Sequence, residues 1–73
     1  MIKCNLSLLM GRDKLKVIDV ARAIDVHRNT VTLLYNEEAK RIDLETMDRL
    51  CKLFKCTPCE LFEYIPEDDK VES

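Results

Sequence analysis

A chain of 73 residues, 47% of them apolar and with one glycine and two prolines, has room for a single small domain and lacks the composition of a disordered segment. Its formal charge of −2 provides no general attraction to phosphate, although the last eight residues hold four acids against one lysine, so that residues 1–65 carry eleven Lys and Arg against ten acids. No apolar run approaches the roughly 20 residues that span a bilayer, and the apolar core of the N-terminal segment is too brief for a secretory leader, so a cytoplasmic location and no membrane partner are expected.

The long stretches almost free of Gly and Pro favour helices, and no run alternates as a half-buried strand does, so an all-α fold is expected. Ile2, Leu6, Leu9 and Met10 fall at i, i+4, i+7 and i+8, the stripe of a first helix that should end near Gly11 and Arg12. Leu15 is expected to tuck under the connector. In the next segment Val17, Val20, Ala21 and Ile24 share one face, and Ala21 is small enough to sit where two helices cross. After a tight turn, Val31 and Leu34 supply the matching inward face of a second short helix, and the pair reads as a helix-turn-helix. His27 falls at the N-cap of that second helix, where Ser or Thr is the commoner choice. Tyr35, following Leu34, is expected to be a partly buried ring with its hydroxyl at the surface.

Beyond the polar link NEEAKRID, Asp43 has the character of an N-cap, with Ile42 and Met47 at the N′ and N4 positions of a hydrophobic staple. The fourth helix carries the stripe Met47, Leu50, Cys51 and Phe54. Thr57, Pro58 and Glu60 repeat the start signal as cap, N1 proline and capping-box acid, predicting a short fifth helix through Phe62. Leu61, Phe62 and Ile65 are expected to close the core. Residues 1–65 would form the domain, and 66–73 an acidic flexible tail, frayed after Pro66.

The outward face of the second motif helix, residues 28–36, is polar: Arg28, Asn29 and Thr32, with Leu33 beside them. Such a surface suits the major groove of double-stranded DNA. Arg28 can present a bidentate fork to guanine and Asn29 to adenine, each worth about 1–3 kcal/mol of discrimination, and Leu33 has the chemistry to meet a thymine methyl or a protein partner. His27 can donate to a phosphate, and Lys40 and Arg41 precede a helix N-terminus whose amides can also meet one. Arg28, Asn29, His27, Lys40 and Arg41 also have a plainer reading as solvated surface groups.

Cys56 and Cys59 are spaced to grip one zinc, but there is no second such pair, and Cys51 falls on a core stripe while Cys4 lies far off. Buried or half-buried thiols are therefore expected, with no metal, no cofactor and no disulfide in a reducing compartment. The chain has no Gly-rich phosphate loop, and its single histidine has no evident Ser or Cys partner, so no enzymatic activity is expected.

Residues 2–65 resemble the lambda-repressor and Cro type of helix-turn-helix domain, the XRE family, and within it the small stand-alone regulators. The resemblance rests on Ala21, Val31 and Leu34 at the motif's packing positions and on AKRIDLETMDRLCKLFKC leading into the fourth helix and beyond. It implies a compact five-helix fold with the motif at helices 2 and 3. It also implies Arg28, Asn29, Thr32 and Leu33 at base edges, and Asn36, Lys40 and Arg41 on phosphates. Asp25 stands where the family usually has a turn glycine, Val17 where a phosphate-anchoring Gln is common, and Glu37 and Glu38 where a Gly and a base are common. Asp visits the left-handed region more readily than most residues, so the turn should survive; the two glutamates would repel the DNA backbone. The implied function is a sequence-specific transcriptional regulator that acts as a homodimer, without a small-molecule ligand; Leu8 and Phe62 are candidates for the dimer contact. The alternative is a protein-interaction module of the same fold, antirepressor-like or antitoxin-like, with weak DNA binding.

Overall fold

Five helices and two short strands make up the computed structural model, which describes residues 1–66: β1 (Ile2–Cys4), α1 (Leu6–Asp13), α2 (Val17–Ile24), α3 (Arg28–Tyr35), α4 (Leu44–Phe54), α5 (Pro58–Leu61) and β2 (Phe62–Tyr64). The tail expected to fray lies, beyond Pro66, outside the described residues. Leu6, Val20, Val31, Leu50, Phe54 and Leu61 are sealed from solvent, with Met10, Ala21, Ile24 and Leu34 nearly so. Each helix thus contributes its apolar stripe to one core, and Leu15, Val17, Ile42, Met47 and Cys51 pack against it half-buried.

The expectation of a purely helical chain is corrected at both ends. β1 and β2 pair antiparallel, with Ile2 opposite Tyr64 and Cys4 opposite Phe62. Ile2 therefore does not belong to the first helix, and α5 stops at Leu61 instead of running through Phe62. Asn5 explains where the first helix begins. Its amide donates to the Leu61 carbonyl at 2.7 Å and its side-chain amide to the Glu60 carbonyl at 3.2 Å, so the chain turns into α1 only at Leu6. Leu61 closes the core as expected and Phe62 packs half-buried, but Ile65 lies at the surface, its backbone exchanging hydrogen bonds with Met1.

Three helices end in a left-handed residue, and none of those residues is glycine: Lys14 (φ 58°), Asp25 (φ 58°) and Lys55 (φ 55°). In each case the amide of the following residue, Leu15, Val26 or Cys56, reaches back five residues, to Met10, Ala21 and Cys51 respectively, at 2.9–3.1 Å. Those three following residues are apolar and pack against the core, the hydrophobic contact that accompanies this kind of helix end. Burial of the residue after the cap thus holds the strained one in place. The caps read at the starts of α4 and α5 are present: Asp43 accepts from the Thr46 amide at 2.7 Å, and Thr57 and Glu60 form the reciprocal capping box.

Two arginines are used internally. Arg12 donates to the Phe54 carbonyl at 2.7 Å and pairs with Asp13, while Arg49 donates to the Ile24 carbonyl at 2.8 Å and pairs with Glu45. Each places a cation on the carbonyls at the end of another helix, α4 and α2 respectively, where the helix dipole favours positive charge.

Candidate nucleic-acid interface

α2 and α3 are joined by the tight turn at Asp25, and their contact is built from Val20, Ala21 and Ile24 on one side and Val31 and Leu34 on the other, all buried. With its inward face occupied in this way, α3 turns Arg28, Asn29 and Leu33 to solvent and leaves Thr32 half-buried. Leu33 is 45% exposed and Tyr35 43%.

His27 is the N-cap of α3, and it caps in an unexpected way: its Nδ1 accepts a hydrogen bond from the Asn29 amide at 3.0 Å. An imidazole that accepts at Nδ1 carries its proton on Nε2, so the cap leaves a donor on the other side of the ring. The residue type that is a poor N-cap in general works here because its ring nitrogen takes the place of a hydroxyl oxygen. The same bond sets the position of the first turn, from which Arg28 and Asn29 project.

At the other end of α3, Asn36 is the C-cap, its amide donating to the Thr32 carbonyl at 2.9 Å. The chain then folds back, and the Leu33 carbonyl accepts from the amides of Glu38 and Ala39 at 2.8 and 3.2 Å. This clamp holds the α3–α4 link against α3 and sets Lys40 and Arg41, both exposed, on the flank of the helix. Between them lies an open groove of about 650 Å³ lined by Thr30, Leu33, Glu38, Lys40, Arg41 and Asp43 among others.

The charge around the groove is mixed. Among the described residues, the side chains of Arg28, Lys40 and Arg41 make no hydrogen bond or ion pair, in contrast to Arg12 and Arg49. Glu37, in the left-handed region at φ 59°, accepts from the Cys4 amide at 3.3 Å. Its carboxylate therefore faces β1, and of the two link acids it is Glu38 that lines the groove. The N-terminus of α4 is partly used as well, because the Thr46 amide is already taken by Asp43. Hydrogen bonds from Thr46 hold the Asp43 carboxyl below its ordinary range, so it stays charged beside the link.

The four cysteines are free thiols. Cys4 is buried, Cys51 and Cys56 are half-buried, and Cys59 is exposed, which departs from the expectation that all would be at least half-buried. Among the described residues, no three His, Cys, Asp or Glu side chains converge as a metal site, and no helix is long and apolar enough to cross a membrane.

Residues 5–67 match the sequence pattern of the Cro/C1-type helix-turn-helix DNA-binding domain. The chain belongs to that family. It is also similar to an uncharacterised HTH-type transcriptional regulator of Bacillus subtilis (strain 168), YozG, with 26% identity over 65 residues that cover 89% of this chain and 77% of that protein. An uncharacterised HTH-type transcriptional regulator of Haemophilus influenzae is 46% identical over 44 residues, 60% of this chain but only 40% of its own length. As a Cro/C1-type domain, the chain is a DNA-binding module whose relatives are named as regulators of transcription.

Proposed function

We propose that this protein is a sequence-specific transcriptional regulator that inserts the helix at residues 28–36 into the major groove of double-stranded DNA. The observation that carries this reading is the division of α3 into a sealed inward face, Val31 and Leu34, and an outward face whose Arg28 is exposed and makes no hydrogen bond or ion pair among the described residues. Arg28 and Asn29 read purine edges, Thr32 and Leu33 add contacts further along the helix, and Leu33 meets a thymine methyl. The Nε2–H of His27, with Asn36, Lys40 and Arg41, holds phosphates on either side. Residues 1–65 act as the DNA-binding unit, followed by an acidic segment, 66–73. One module of this size buries about 600–1,000 Å² on DNA, so two copies on a repeated half-site supply the affinity of a working repressor or activator.

Selection of bound sequences from a random DNA pool by the purified protein tests the proposal. A recovered motif of paired half-sites, with affinity falling steeply as salt rises, is the expected result. Failure to enrich any sequence at low salt, with the protein folded, overturns it. The second reading, a protein-interaction module, is favoured in that event by the 45% exposure of Leu33 above a groove that also holds Glu38. In that case Leu33→Ala weakens partner binding and Arg28→Ala does not alter any DNA preference.

A further inference from the structure

The end of α4 brings together two thiols that have no role in the reading above. Cys51 lies in the last turn of α4 and Cys56 follows the left-handed Lys55; the Cys56 amide donates to the Cys51 carbonyl at 3.0 Å, and the Cys51 thiol is near enough to oppose ionisation of Cys56. A six-residue turn closed in this way sets its end residues side by side, the arrangement a disulfide needs, since it joins Cα atoms roughly 4.4–6.8 Å apart. Both residues are half-buried, so a small reagent can reach them, whereas Cys4 is buried. The Arg12 guanidinium, fixed on the Phe54 carbonyl, favours the Cys56 thiolate, but Glu60 opposes it more strongly.

We propose that Cys51 and Cys56 form a dithiol modification site that is oxidised to an intramolecular disulfide by low-molecular-weight disulfides. The Cys56 thiolate attacks one sulfur of the small disulfide, forming a mixed disulfide and releasing one small thiol. The Cys51 thiol then loses its proton to solvent and attacks the Cys56 sulfur, releasing the second small thiol. The protein loses two protons and two electrons, and the reagent is reduced to two thiols. Burial pushes the Cys56 thiol up from its ordinary value, and Cys51 adds to the shift, so the first step quickens as pH rises. The exposed Cys59, two residues into α5, is the competing partner suggested by sequence spacing.

The test is incubation of the folded full chain with oxidised glutathione, acid quenching, alkylation of the remaining thiols in denaturant, tryptic digestion and mass spectrometry without reduction. Cleavage after Lys52 and Lys55 places Cys51 and Cys56 on different peptides and keeps Cys56 with Cys59. The expected product is a cross-link between the Cys51 and Cys56 peptides, with Cys4 alkylated, formed equally in Cys59→Ser and faster at higher pH. A loop confined to the peptide holding Cys56 and Cys59, a cross-link that disappears in Cys59→Ser, mixed disulfides that never close, or four alkylated thiols would each overturn the proposal.

Discussion

The chain's one glycine and its left-handed helix ends do not coincide, and in α1 the mismatch can be tested within four residues. Gly11 is inside the helix, and a Cβ built there meets nothing within 4 Å. Gly11→Ala should therefore recover the helix-interior penalty of glycine, roughly 0.5–1 kcal/mol. Lys14, at φ 58° and ψ 40°, carries the opposite penalty: a Cβ in that region costs about 1–2 kcal/mol. Glycine removes this strain but brings back about 0.5–1 kcal/mol of unfolded-chain entropy, a net gain of about 0.5–1 kcal/mol. Because Lys14 also places a cation at a helix C-terminus, the reference is Lys14→Ala, which removes the charge and keeps the Cβ. In urea denaturation followed by circular dichroism, Lys14→Gly should be more stable than Lys14→Ala, a reversal of the usual alanine preference in helices. Gly11→Ala with Lys14→Gly should together gain about 1–2 kcal/mol over Lys14→Ala, or roughly 5–15 °C in midpoint temperature for a domain of this size. If Lys14→Gly is no more stable than Lys14→Ala, the strain assigned to that helix end is wrong.

Further outcomes follow from the site and its supports. Arg28→Ala should lose about 1–3 kcal/mol of preference at one base pair, whereas Lys40→Ala should weaken binding evenly across sequences and reduce the salt slope by about one, both read from binding titrations over a salt series. His27→Ala removes the acceptor for the Asn29 amide and should cost about 1 kcal/mol of stability in urea, while His27→Asn, which restores an acceptor, should cost little. Asp43 has its carboxyl held low by Thr46, so its ionised form adds stability that is fully present above the unfolded-state value, about 3.9, and is lost as pH falls through the lower folded-state value. The advantage of the wild type over Asp43→Asn should accordingly shrink below about pH 4. Leu50→Ala, at a sealed position, should cost about 2–5 kcal/mol, enough to leave much of so small a protein unfolded at ambient temperature.

Most of what was legible along the chain rested on contacts between residues a few positions apart. The packing faces of α2 and α3, the Asp43 cap and the Thr57–Glu60 box are all set within one or two helical turns, where spacing and residue type carry the physics. The position of His27 just before α3 marks it as a cap, but the use of its ring nitrogen as the acceptor depends on the folded geometry of the turn. The apolar residue after each left-handed helix end, Leu15, Val26 or Cys56, is a signal that the sequence does contain.

Composition and periodicity by themselves determined the helical domain and the helix-turn-helix, because amphipathic spacing is a local property of the chain. Tertiary structure alone decided that the two ends pair as strands, that Arg12 and Arg49 close other helices while Arg28 stays exposed, and that Glu37 turns to β1. Three-residue strands are too short to show alternation, and a guanidinium reaching a carbonyl 42 or 25 residues away leaves no periodic trace. Such contacts exist only once the core has brought distant segments together, since only then is the entropy of closing the long loop between them already met.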